Sequence, residues 1–474
     1  MGIEKTNQNS KDNMSLLLTR LLQYLEENEI KYCILRNYEQ LPGNLPFDID
    51  FLIEQGKLKN LDKILMRFFR SEKCHLYLAS THANVCRHYY LYYENDDGER
   101  SFLALEFNTI LLLYLPGKIR TNELCYLPTK TVMESRRKLG SIYVPSKEIE
   151  VIHLFFESLF KGKEKYWPRL FDKFEETKNS IMPLLISCFG EDAAGRVFDL
   201  LSSGSSESCC QASDELLKAF CSVTRASLGQ RLLHDLYAFK ERVLGYIKPE
   251  GMLVVFLGPD GVGKTYIADR LARILERRFP KIIRTHLGNR PVILPCLTGK
   301  RASEVNTNNS ESIIAARRSS WRFYQSLRVL YYALDYIVDY FIRLRLWKSK
   351  GYLILSERYS YKYFAGPQIH IPKAAKFTRY LACILVPAPD IAIFLDASPQ
   401  VILRRKKELT EEAIIAQRQA YRGVRKFVRE FYVVDNSGQP ESVADEIISI
   451  ILKVASHRSA KKRKLEESLK IDRG

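Results

Sequence analysis

The sequence lacks any apolar run of the length a membrane-crossing helix needs. The longest candidates, FLALEFNTILLLYL and YLACILVPAPDIAIFLDA, are short or are broken by Glu106, by prolines and by Asp390, so no membrane span is expected. An apolar leader is missing too, because MGIEKTNQNSKDN is polar throughout; this gives the expectation of a cytoplasmic protein. The ten cysteines show no Cys-x-x-Cys spacing and no partnering histidine cluster. They read as buried or free thiols in preference to disulfides or zinc ligands. There is no internal repeat and no long low-complexity tract. Negative charge is in the minority, with 55 Asp and Glu against 73 Lys and Arg and a net charge of +18, which points to a polyanionic partner.

What is present begins with size. A chain of 474 residues is too long for one ordinary core and predicts two or three domains. The hydrophobic share of 46% and the charged share of 27% are those of a globular protein. Residues 14–165 open with the helical pattern MSLLLTRLLQYLEENE. They continue with strand-like runs at KYCILRNY, IDFLIE, CHLYLAS, HYYLYYEN and FLALEFN, then close on the helical SKEIEVIHLFFESLFKG. This pattern predicts a small α+β domain. Residues 166–248 read as a helical segment or linker, most linker-like at SSGSSES. From 250 to 455 the pattern becomes strand, glycine loop, helix, then the buried strands YLILSERY and DIAIFLDA with helices between, the alternation of a parallel α/β sheet. Residues 456–474, with a Lys-Lys-Arg-Lys cluster, read as a basic disordered tail.

The loop GPDGVGKT lies between the apolar LVVFL and the amphipathic YIADRLARILERRF. Gly258, Gly263, Lys264 and Thr265 fill every fixed position of G-x-x-x-x-G-K-[ST], with Pro259, Asp260, Gly261 and Val262 completing the loop. Glycines permit a backbone whose N–H groups converge on phosphate at a helix N-terminus. Lys264 offers charge to the β and γ phosphates, and the Thr265 hydroxyl can ligate Mg²⁺. ATP and magnesium are therefore the expected cofactors. The placement of positive charge agrees: residues 281–350 hold thirteen Lys and Arg against four Asp and Glu.

VVFLGPDGVGKT, YALDYIVDYFIRLRLWKSKGYLILSERY and PDIAIFLDASPQVILRRKKE resemble the three core motifs of thymidylate kinases, over about 250–455. In that family the strand after the basic helix ends in Asp-Arg-Tyr, and here Glu357, Arg358 and Tyr359 stand there. The resemblance implies that Glu357 holds the magnesium shell or orients the acceptor, that Arg358 grips the acceptor's phosphate, and that Asp260 touches the acceptor. It implies that Arg404 and Arg405, in LRRKKELT, close as a lid over the triphosphate. Asp396, at the end of its strand, reads as a helix start. The pattern departs from the family where Tyr336 replaces an arginine, where SYKYFAGP replaces the thymine-lining residues, and where THLGNRP, with Arg290, replaces an acceptor-touching segment. A base-reading pocket depends on placed donors, so the expected acceptor is not thymidylate. The aromatics along RRSSWRFYQSLRVLYYALDYIVDYF read as core.

In the N-terminal part, Asp48 and Asp50 alternate on a strand-like stretch and so point the same way. With Glu106 as candidate third carboxylate they can hold two Mg²⁺ ions. The arrangement resembles the nucleotidyltransferase fold, in variants fused to thymidylate-kinase-like domains in bacterial surface-polysaccharide clusters. The Gly-Ser pair that normally precedes the carboxylates is absent.

The expectation is an ATP- and Mg²⁺-dependent kinase with catalytic Lys264, Glu357, Arg358, Arg404 and Arg405. Its partners would be ATP and a small acceptor: a nucleotide, a sugar phosphate or a glycan. Two alternatives stand beside it, a nucleotide-binding regulatory or scaffold protein without turnover and a nucleic-acid end kinase. Nucleic acid is the less favoured partner, and a homodimer is compatible with the sequence.

Overall fold

The computed structural model describes residues 2–43, 45–54, 56–82, 85–95, 98–114, 123–223, 228–287, 293–294, 311–365, 376–406 and 409–471. The chain divides into two compact units, Met1–Val243 and Leu244–Gly474.

The first unit is α+β. Its main sheet runs β1 (Tyr32–Ile34), β2 (Asp48–Ile53), β5 (Arg100–Asn108), β4 (Cys86–Glu94), β3 (His75–His82). β2 and β5 are parallel and the other neighbours antiparallel. Two small hairpins follow, β6 (Leu111–Tyr114) with β7 (Glu123–Leu127) and β8 (Arg137–Leu139) with β9 (Ile142–Val144). Strand alternation sorts the side chains between two cores. Ile49, Phe51, Ile53, Leu103, Leu105, Phe107, Tyr89 and Leu91 join the core under the helices Gly2–Glu27 and Leu58–Ser71. Leu52 joins a second core on the opposite face, built by helices from Lys147 to Val223. The intervening strand positions on that second face are Asp48, Asp50, Cys86, His88, Glu106 and Asn108.

That second core extends past residue 165. The helices after it carry Leu170, Phe174, Leu185, Val197, Leu216 and Phe220 into the same core as Ile152, Phe155 and Phe156, so they pack as a helical segment within the first unit. The boundary accordingly falls after Val243. SSGSSES is only the turn between helices Glu191–Ser202 and Ser206–Gln211.

The second unit is α/β. Five strands form a fully parallel sheet in the order β11 (Ile282–Thr285), β12 (Leu353–Ser356), β10 (Met252–Leu257), β13 (Ile391–Asp396), β14 (Phe431–Asp435). Helices flank it. The three inner strands are buried at every position, which is why they read as unbroken apolar runs. β11 and β14 are edge strands with part-exposed residues, and their mixed sequences hid them.

The last helix, Pro440–Ile471, continues where a disordered tail was expected. Its residues Val443, Ala444, Ile447, Ile448, Ile451, Leu452, Val454 and Ala455 are buried, and Ser459 is buried beyond them. Arg458 pairs with Asp390, and Lys462 reaches Glu250 at 2.5 Å and the Lys248 carbonyl at 3.1 Å. These contacts hold the start of the basic segment against the unit. No described helix is long and apolar enough to cross a membrane.

Candidate functional site

In the parallel unit, successive connections from β10 lead first to one side of the sheet and then to the other. Its C-terminal end therefore marks a switch point, where α/β sheets open a crevice. The loop 258–263 leaves β10 there and feeds the helix Lys264–Ile274. Two glycines are required by geometry. Gly258 has φ +145°, and a Cβ on it would sit 2.7 Å from the Leu395 carbonyl oxygen; Gly263 has φ +100°, and its Cβ would sit 2.8 Å from Asn436 Nδ2. Asn436 Nδ2 donates to the Val262 carbonyl at 2.6 Å and Arg405 donates to it at 3.2 Å, so the segments after β13 and β14 hold the loop's shape.

Lys264 Nζ donates to the carbonyls of Gly258 and Pro259, each at 2.8 Å, and lies 3.4 Å from Asp260 Oδ1. Burial lowers the Lys264 pKa, against the opposing pull of Asp260. Burial would raise the Asp260 carboxyl, but Lys264 and Arg358 hold it below the usual range. From the end of β12, Arg358 reaches Asp260 Oδ1 at 3.2 Å, while the Thr265 hydroxyl donates to Glu357 Oε2. Loop and strand end thus meet: Asp260, Lys264, Thr265, Glu357 and Arg358 form one connected set. Arg404 and Arg405 close the helix Pro399–Arg405 and are both exposed, with Arg405 alone of the two reaching the loop. Residues 407–408 of LRRKKELT, and Arg290, lie outside the described residues.

Sequence reasoning missed several members. Arg284, on edge strand β11, donates to Glu357 Oε1 at 2.8 Å and also pairs with Asp269. Asp396 does not start a helix; Ser398 caps it by accepting from Val401 N at 3.4 Å. Asp396 instead takes Arg418 at 2.6 Å and Arg422 at 2.8 Å. The available signal was the i, i+4 spacing of these two arginines on one helix. Lys362, in SYKYFAGP, is pushed down to about 7 by burial and by Arg358, with its ammonium 5.8 Å and 5.1 Å from the ring centroids of Tyr336 and Tyr363. Tyr336 itself is core: it is 5% exposed and its hydroxyl donates to the Leu287 carbonyl at 2.9 Å. Tyr332 and Tyr340 are buried beside it in sequence, while Phe323 and Phe341 are exposed.

The first unit holds a second constellation. Asp50 pairs in register with Glu106, and Glu106 with His88, so three ionisable side chains stand in one row across β2, β5 and β4. The helix Lys147–Leu159, capped by Ser146, lays His153 and Glu157 into the same site. With Arg36, Lys161 and Lys163 they line a cavity of about 260 Å³. Arg36 bridges Asp50 and Glu157, the latter at 2.8 Å, and Lys161 reaches Glu157 at 2.5 Å. Burial, then Glu106, raises the Asp50 carboxyl to about 6 despite Arg36. Glu157 is held low by His153, the two lysines and Arg36 against the cost of burial.

Asp50 and Glu106 are therefore neighbours, as the two-Mg²⁺ expectation required, but the trio is not assembled tightly. Asp48 is exposed one row further along, opposite Ala104. Among the described residues, the potential metal-ligating groups with donor atoms within 4.8 Å of one another are Cys86, His88 and Glu106. The signals overlooked were Cys-x-His on a strand and the 153, 157, 161 spacing in an otherwise apolar helix.

No family model matches the chain. A stretch of 93 residues is 32% identical to a Lon protease of Citrifermentans bemidjiense, covering 17% of this chain and 12% of that protein. A match spanning about 12% of the relative's length does not assign the chain to its family.

Proposed function

We propose that the C-terminal unit is an ATP- and Mg²⁺-dependent phosphotransferase of the thymidylate-kinase-like P-loop class, acting on a small phosphorylated or hydroxyl acceptor other than thymidylate. The observation that carries this reading is the contact of loop and strand end: Asp260 and Thr265 each touch one of the adjacent residues Arg358 and Glu357. The residues fit a nucleotide and its metal. The loop glycines leave no room for a Cβ, as a backbone that closes on phosphate requires. Lys264 is bonded to loop carbonyls that phosphate oxygens can replace, and Thr265 with Glu357 presents the hard oxygens that Mg²⁺ prefers.

In this mechanism Lys264 swings from the two carbonyls onto the β and γ phosphates. The acceptor oxygen attacks the γ phosphorus in line as the bond to the β,γ-bridging oxygen breaks, and ADP leaves with that electron pair. A phosphorylated acceptor attacks as the anion, and a hydroxyl acceptor loses its proton to water as the new O–P bond forms. Arg358 holds the acceptor, and Arg405 adds charge beside the loop. Magnesium, when bound, neutralises the charge spread over the phosphate oxygens. Positioning and charge supply most of the catalysis in such a reaction. The acceptor reading rests on Tyr336, whose hydroxyl is spent on Leu287 and offers no cationic group to a thymidylate. A nucleotide other than thymidylate, a sugar phosphate and a glycan are the candidates.

The test is incubation with labelled ATP and a panel of nucleotides, sugar phosphates and glycan acceptors. Acceptor-dependent ADP release that disappears in Lys264→Ala supports the kinase. ATP binding with no acceptor-dependent release favours the regulatory alternative, and transfer to thymidylate at the rate of true family members overturns the acceptor reading.

A further inference from the structure

We propose that Cys86, His88 and Glu106 of the first unit form a site for one zinc-class divalent ion, with an open coordination position facing the cavity beneath the helix Lys147–Leu159. Three independent observations lead there.

The donor set comes first. Cys86 and His88 are two apart on β4 and so share a face, and Glu106 stands opposite His88 on β5. Cys86 Sγ lies 3.2 Å from His88 Nε2 and 3.8 Å from Glu106 Oε1. Tetrahedral zinc with bonds of about 2.0–2.3 Å sets its donors about 3.3–3.6 Å apart. The three groups already fall within 4.8 Å of one another, so side-chain rotation alone can close the site.

The second observation is the chemistry of selection. A thiolate and an imidazole favour zinc, whereas magnesium takes oxygen donors and keeps its waters. This donor set differs from a carboxylate pair holding Mg²⁺, and the proposal departs from the sequence expectation that no cysteine is a zinc ligand.

The third is a pair of polar atoms without partners. Asp50 is 3% exposed and His153 is 4% exposed, and both line the same cavity. Asp50 Oδ1 and His153 Nε2 have no hydrogen-bond partner. Buried polar atoms are rarely left so. A water on the fourth position of the metal would face the cavity that both atoms line and could satisfy them. Three protein ligands with one open position is the pattern of reactive sites in preference to closed structural ones.

Binding converts the Cys86 thiol to a thiolate, releasing about one proton per metal. The experiment is titration of the chelator-treated, full-length protein with Co²⁺. Expected are one cobalt per chain with a thiolate-to-cobalt charge-transfer band, stoichiometric displacement by Zn²⁺, and no displacement by excess Mg²⁺. The band should vanish in Cys86→Ser and survive in Cys383→Ser, with circular dichroism reporting that both fold. No saturable band, or one that survives Cys86→Ser, overturns the proposal. X-ray absorption at the zinc edge of the wild-type protein gives a readout that needs no variant: one sulfur with nitrogen and oxygen neighbours supports the site, and an all-oxygen shell refutes it.

Discussion

The two units place their chemistry in opposite ways. In the parallel unit most of the charged residues sit at or beyond the strand ends, on a loop and a strand terminus, while the three inner strands are apolar but for the last residues of two of them, Ser356 and Asp396. In the mixed-sheet unit the charges lie within the strands and under a helix, on the face opposite the core that holds Phe51 and Phe107. A fully parallel sheet has helices on both faces and leaves few strand side chains free for function, here Arg284 on an edge strand. A mixed sheet can give one row of a face to polar groups, provided that each buried charge is paired. The first design separates stability from function; the second makes the same residues responsible for both.

Substitutions sharpen this contrast. The largest effect is expected for Lys264→Ala, which should cut acceptor-dependent ADP release by at least about a hundredfold while leaving the denaturation midpoints of both units in place. Arg36→Met should do the reverse. It leaves Asp50 and Glu157 buried without their shared cation and should destabilise the first unit by about 3–5 kcal/mol in denaturant unfolding, with phosphoryl transfer by the second unit unchanged. If Arg36→Met proves stability-neutral, the pairing argument for the first unit fails.

Gly258→Ala comes next, expected to lower stability of the second unit by about 1–3 kcal/mol and to impair ATP binding, since its Cβ meets the Leu395 carbonyl. A pH effect accompanies these. Lys362 titrates at about 7 when folded against an ordinary 10.5. Between those values the unfolded chain carries the extra proton, so stability of the second unit should rise from about pH 7 towards 10.5. Thermal midpoints should show this rise, and Lys362→Met should flatten it. The smallest effect is Tyr336→Phe, about 1 kcal/mol for the hydrogen bond to Leu287, with turnover preserved; a large loss of turnover would mean that Tyr336 touches the acceptor.

The difference between the units also governs how far each could be read in advance. The glycine loop and the three inner strands were legible because their signals are contiguous: a fixed octapeptide spacing and unbroken apolar runs. β11 and β14 escaped because these edge strands are part-exposed and mixed in sequence. Arg284 and Asn436, which anchor Glu357 and the loop, come from those edges and carry no local signature. In the first unit Asp50 and Glu106 were found by alternation, but Arg36, Glu157, Cys86 and His88 were not, since nothing local says that residues 36, 86 and 157 share a cavity. The helices 167–223 were left between a helical segment and a linker because helical periodicity reveals an apolar face without revealing what covers it.

By itself, then, the sequence determined the local conformations: where glycine must turn the backbone, where a strand is buried on both faces, and which residues alternate onto one side. Sheet order, helix placement and strand register decided the rest. Register alone set Asp50, Glu106 and His88 in one row, and only packing of the Lys147–Leu159 helix over that row buried it. Covalent neighbours fix torsions within a few residues, whereas the pairing of charges far apart in the chain is settled by long-range burial, which selects the arrangement that leaves the fewest of them unpaired.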